Sequence, residues 1–118
     1  MGYKEIYNSW KNDPESFWMT AADAIDWVKK PSKALFAERA PLYEWFCDSE
    51  VNTCYNAVDR HVLNGRADQK AIIYDSPMTD TKYSITFSEL LEKVATLAGA
   101  LSSKGISKGD RVIIYMPM

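Results

Sequence analysis

A chain of 118 residues has room for one small domain and a single core. With 47% hydrophobic and 25% charged residues it has the make-up of an ordinary folded protein, which excludes an intrinsically disordered chain. A net charge of −2 with no basic stripe gives nucleic acid no electrostatic footing, and no apolar run approaches the ~20 residues of a membrane span.

The first residues, MGYKEI, lack the apolar region of a signal peptide, and Ile6 stands where a myristoylation signal requires Ser or Thr. Tyr3, Ile6, Tyr7 and Trp10 recur at helical spacing and predict a short helix over residues 3–11. Asn12-Asp13-Pro14-Glu15 then restarts the chain as a helix, with Asp13 at the N-cap and Pro14 at the first helical position. This second helix is expected to reach about Ala24, burying Phe17, Ala21 and Ile25 with Trp18 at its flank. Lys29-Lys30-Pro31 stops regular structure, and an irregular crossing runs to Pro41. Leu42 to Phe46 has the β-propensity of a short strand. All four tryptophans precede Asn52, an asymmetry that suggests a first half clamped onto something with large rings.

Asn52 is placed to cap a third helix, Thr53 to Asn64, closed by Gly65, with Cys54, Ala57, Val58, His61 and Val62 facing inward. Ala71 to Tyr74 reads as a strand and Lys82 to Thr86 as its partner, joined through an exposed loop from Asp75 to Thr81. No repeat or low-complexity segment appears, and the weakest boundary lies near Asn64 to Gln69. Thr86-Phe87-Ser88-Glu89 fits a capping box, in which hydroxyl and carboxylate each satisfy the other's backbone N–H. Behind it Phe87, Leu90, Leu91, Val94, Leu97, Ala98 and Leu101 make one amphipathic stripe. Gly105 is placed for a left-handed C′ position, with Ile106 folding back on Leu101. After a Ser107–Asp110 turn, the run Arg111 to Met116 drops all alternation, as in a strand covered on both faces, and Pro117 ends it. Such a strand needs helices above and below and neighbours at both edges. This chain does not supply them, so the sequence reads as interrupted.

His61 is the only histidine, and Asp59-Arg60-His61 resembles a catalytic triplet. Adjacent helical residues point in different directions, however, so a packing or capping role is expected for His61. Cys54 and His61, seven apart, would share a helical face, but zinc takes four ligands and Cys47 does not complete the set. Two cysteines make no secreted disulfide framework; they read as reduced thiols of a soluble intracellular protein. Gly105 to Asp110 is no phosphate loop, because it opens a strand, not a helix, and carries an acid that would repel phosphate. No nucleophile elbow, metalloprotease helix or dinucleotide fingerprint is present. Residue chemistry alone therefore predicts no catalytic, cofactor-binding or metal-binding residue here.

The blocks Ile85 to Leu90, Ala98 to Leu101, Lys104 to Val112 and Tyr115 to Met118 nevertheless resemble the start of the adenylate-forming enzymes. Tyr7-Asn8-Ser9, Asp13 to Trp18, Ile25-Asp26-Trp27 and the helix Asn52 to His61 are similar to the N-terminal region of the short-chain acyl-CoA synthetases in that superfamily. Ala71 to Pro77 leans toward the propionyl-CoA synthetase branch over the acetyl-CoA one.

The resemblance implies an α/β fold: a helical N-terminal region over 1–64, then over 65–118 the first strands and helix of a truncated AMP-binding domain. It further implies a parent enzyme that joins ATP and a short carboxylate into an acyl-adenylate, then passes the acyl group to coenzyme A with Mg²⁺ assisting. The phosphate loop, ribose-binding Asp, catalytic Lys and acyl pocket of such enzymes would all follow Met118, leaving this segment as scaffold. Its partner would be the rest of its own chain, not nucleic acid or membrane, and its location the cytoplasm, or the mitochondrial matrix in a eukaryote. The alternative reading is a stand-alone binding module that kept the fold and lost the chemistry. A long-chain ligase is disfavoured, since those relatives lack the N-terminal helical blocks.

Overall fold

The computed structural model describes residues 2–116. The chain divides into two compact units, Met1–Ala57 and Val58–Met118, and combines helices with small sheets in the α/β class expected.

In the first unit, α1 spans Tyr3–Asn12 and its Gly2 N–H donates to the Glu5 carboxylate at 2.9 Å. Helix α2, Pro14–Ala22, starts as its sequence dictates, the Asp13 carboxylate accepting from the Ser16 N–H at 3.0 Å. It stops short of Ala24. Ile25 N–H folds back onto the Ala22 carbonyl at 3.1 Å, and the Trp27 indole N–H donates to the same oxygen at 2.8 Å. That fold-back buries Ala22, while Ala21 and Ile25 are exposed and Phe17 is half-buried, so the inward face is not the one expected.

Strand β1, Trp27–Lys29, pairs antiparallel with β4, Glu50–Val51. Strand β2, Leu35–Phe36, lies in the stretch expected to be irregular and pairs antiparallel with β3, Glu44–Trp45. The expected strand over 42–46 is reduced to two residues because Phe46 turns out of it at φ 50°. Ala34 is buried, with 1% of its surface exposed, and its N–H donates to the Glu15 carboxylate at 2.6 Å. The large rings find partners inside the unit: Trp18 on Trp45 edge-on at 5.6 Å, and Trp27 on Phe46 at 5.6 Å.

In the second unit, β5, Lys70–Ser76, and β6, Thr81–Thr86, form the expected hairpin. Cross-strand pairs fix its register: Tyr74 and Tyr83 stack at 4.8 Å, and Lys82 meets Asp75 at 2.9 Å. Helix α3 spans Phe87–Ser103. The Thr86 hydroxyl accepts from the Glu89 N–H at 3.2 Å, and the Glu89 carboxylate accepts from the Thr86 N–H at 2.8 Å. At the far end Gly105, at φ 85°, allows a Schellman closure: Ile106 N–H reaches the Leu101 carbonyl at 3.2 Å and Gly105 N–H the Ser102 carbonyl at 2.9 Å.

Thr86→Ala is therefore expected to cost about 1 kcal/mol in urea unfolding. Bonding to the Thr86 N–H holds the Glu89 carboxyl below the usual carboxylate range. Because the native value is the lower one, the cap's contribution is complete above the unfolded carboxylate value and fades as pH falls through the native one. The Thr86 hydroxyl also donates to the Glu89 carboxylate at 3.2 Å, so part of the Thr86→Ala difference should fade on acidification while the backbone bond remains, and a difference independent of pH would contradict that hydroxyl–carboxylate bond.

Arg111 to Met116 forms no strand among the described residues. A ladder needs a neighbour, and β5 and β6 pair only with each other. Its apolar side chains are exposed, Tyr115 at 98%. On α3, Leu90, Leu91, Val94 and Leu101 are half-buried while Leu97 and Ala98 are open. The expected stop at Pro117 lies outside the described residues.

Candidate functional site

The helical stretch after Asn52 is capped as its sequence implies, the Asn52 side-chain oxygen accepting from the Tyr55 N–H at 2.9 Å. It is not a regular α-helix. One wide π-type turn, Tyr55–Asp59, interrupts it, and the backbone kinks out of helical geometry at Asn64 and at Gly65, whose φ is 78°. The wide turn takes up an extra residue between Cys54 and His61, which breaks the seven-residue register assumed for them. Val58 is buried and His61 and Val62 are half-buried, but Cys54 and Ala57 are exposed, a correction to the expected inner face.

His61 packs at the start of α3. Its ring lies 4.7 Å from the Phe87 ring, and the Arg66 guanidinium sits 5.3 Å over that ring. Arg66 Nη1 lies 3.0 Å from His61 Nδ1, while Arg66 Nε donates to the Gln69 side-chain oxygen at 2.6 Å. The main chain completes the arrangement: Phe87 N–H donates to the Gln69 carbonyl and Ser88 N–H to the Ala67 carbonyl, each at 3.0 Å. With the Thr86 hydroxyl on Glu89 N–H, three N–H groups that a helix start leaves open are satisfied. The packing role expected of His61 is thus visible in its contact with Phe87. Arg66, Gln69 and Phe87 were missed, because the kink at Asn64 and Gly65 leaves no periodic trace in the sequence.

The Ser107–Asp110 turn carries Gly109 at φ 102°. Its Ser107 N–H and hydroxyl both donate to the Asp110 carboxylate, at 2.7 and 3.2 Å. These two Ser107 donors are thus turned onto an internal anion, the Asp110 carboxylate. Among the described residues no three His, Cys, Asp or Glu side chains are gathered for a metal. Nor is any helix of the described residues long and apolar enough to cross a membrane.

Two family models divide the chain between them. That described as acetyl-coenzyme A synthetase N-terminus matches residues 3–57, and that described as AMP-binding enzyme matches residues 59–118. The chain belongs to the AMP-binding enzyme family. Among curated members it is 51% identical over 116 residues to the human acyl-CoA synthetase short-chain family member 3, mitochondrial, covering 98% of this chain and 17% of that protein. The Bos taurus counterpart is 50% identical over the same coverage. An acetyl-coenzyme A synthetase of Paraburkholderia phymatum is 41% identical over 117 residues, again 98% of this chain and 18% of the relative. The resemblance read from separate blocks of sequence therefore holds across nearly the whole chain, which spans about a sixth of these AMP-binding relatives.

Proposed function

We propose that this chain is the N-terminal scaffold of an AMP-forming short-chain acyl-CoA synthetase, with propionate the favoured acid over acetate. The parent joins ATP and the carboxylate into an acyl-adenylate with loss of pyrophosphate, then transfers the acyl group to coenzyme A, with Mg²⁺ offsetting phosphate charge. Residues 1–64 form the helical region of acetyl-CoA synthetase type and 65–118 the start of the AMP-binding domain. The chain's own residues hold no catalytic, cofactor or metal role; their partner is the remainder of the polypeptide. The reading is carried by identity running through both matched blocks with short-chain acyl-CoA synthetases. A lean toward propionate rests on Ala71 to Pro77 alone. The parent's location is the cytoplasm or the mitochondrial matrix; the human relative carries "mitochondrial" in its name.

Two assays test the reading. The 118-residue chain should give no carboxylate-dependent ATP–pyrophosphate exchange, and measurable exchange would place the chemistry within it. The polypeptide extended along its reading frame should exchange, with kcat/KM higher for propionate than for acetate. The reverse order would remove the propionate assignment, and a frame closing after Met118 would favour a stand-alone binding module.

A further inference from the structure

We propose that His61 and Arg66 form a proton-sensitive clasp on the start of α3, closed while the imidazole is neutral and opened when Nδ1 takes a proton. The tautomer follows from donor counting. A guanidinium offers only N–H donors, so an Arg66 nitrogen 3.0 Å from Nδ1 requires a lone pair there, and the neutral ring's proton sits on Nε2. A proton at Nδ1 would set N–H against N–H and bring two cations together.

What the clasp holds is equally specific. The imidazole leans on Phe87, the first residue of α3, from one side, and Arg66 covers the same ring. Arg66 is itself steadied by Gln69, whose carbonyl accepts the Phe87 N–H. Releasing Arg66 from His61 therefore loosens both the ring contact and the residue whose carbonyl caps α3. The charges acting on the imidazole are Arg66 and Arg60, both cationic and both from its own helical stretch. The two elements packed against the clasp present Phe87 and Gln69, which are uncharged.

Burial first, then Arg66 and Arg60, lower the imidazole below its ordinary value of about 6.5. The sign follows: the unfolded chain binds the proton more readily than the native one. The clasp's stabilisation is complete above the ordinary value and is lost as pH falls from there through the native one.

A single histidine makes the test direct, since one imidazole signal reports it. Nitrogen-15 NMR of the chain should show the Nε2–H tautomer and a titration midpoint below that in concentrated urea. Arg66→Met should move the midpoint up toward the urea value. Amide exchange at Phe87 and Ser88, corrected for its intrinsic pH dependence, should quicken several-fold below the midpoint in the parent chain. In His61→Phe, which keeps a ring but cannot titrate, that step should vanish. Equal midpoints in buffer and urea, an Nδ1–H tautomer, no response to Arg66→Met, or a step surviving in His61→Phe would each overturn the proposal.

Discussion

Replacing Ile113 and Tyr115 together by lysine is expected to turn a dye-binding, self-associating chain into a monomer that binds several-fold less dye. Ile113 is 89% and Tyr115 98% exposed, and Val112, Ile114 and Met116 flank them as exposed apolar side chains. Leu97 of α3 and Ile73 of β5 add further exposed apolar surface to this unit. A run of five consecutive exposed apolar side chains, Val112 to Met116, is uncommon on a monomer in water and drives association or dye uptake. At ~25 cal/mol per Å², covering a few such side chains against another copy outweighs much of the cost of bringing two chains together.

The parent chain should therefore bind an environment-sensitive dye strongly and sediment as larger species with rising concentration. The lysine pair should cut the dye signal several-fold and restore a concentration-independent monomer, because two charges in the middle of the run make its burial unfavourable. Far-UV circular dichroism should be unchanged, since Arg111 to Met116 contributes no helix or strand. A compact parent monomer that ignores the dye would show that these residues are covered in solution. It would also remove the motive for seeking their neighbours in the rest of a synthetase.

What could be read from the sequence is what short-range chemistry dictates. Asp13 with Pro14, Thr86 with Glu89, and Gly105 with Ile106 each act within a few residues, and each appears with the hydrogen bonds its spacing implies. The β5–β6 hairpin was legible for the same reason, its strands being separated only by a turn-forming loop. The pairings of β1 with β4 and β2 with β3 were not. They join two- and three-residue strands across intervals set by tertiary contact, with too few residues for alternation to show. Regular periodicity misplaced Cys54 and Ala57 because the wide turn at Tyr55–Asp59 departs from the 3.6-residue period there. For Arg111 to Met116 the composition spoke of a buried strand, while the local structure shows that composition cannot substitute for a partner. Family membership was read from blocks of similarity in sequence, and the matching family model carries it.

Trp27→Ala should lower the stability of the first unit by about 2–4 kcal/mol, somewhat under the cost of deleting a fully buried ring. Trp27 is a hinge between three segments: its indole packs on Phe46 at a tilt, its N–H closes the end of α2 on the Ala22 carbonyl, and its backbone pairs with Val51. Trp27→Phe separates these contributions, keeping a ring against Phe46 and losing only the indole N–H. It should cost about 1 kcal/mol, because the Ala22 carbonyl retains the Ile25 N–H. Glu15→Ala probes the same unit from a buried point, stranding the N–H of Ala34, and should cost about 1–3 kcal/mol, with Glu15→Gln recovering most of it by restoring an acceptor. Against a total stability of ~5–15 kcal/mol for a whole domain, and with a core this sparse, Trp27→Ala is expected to leave the first unit partly unfolded at room temperature. Urea titration followed by the remaining tryptophans reads all four variants. Trp27→Ala unfolding at the parent's midpoint would mean that Trp27 does not join α2 to the strands, and Glu15→Ala matching Glu15→Gln would mean that the Ala34 N–H has another acceptor.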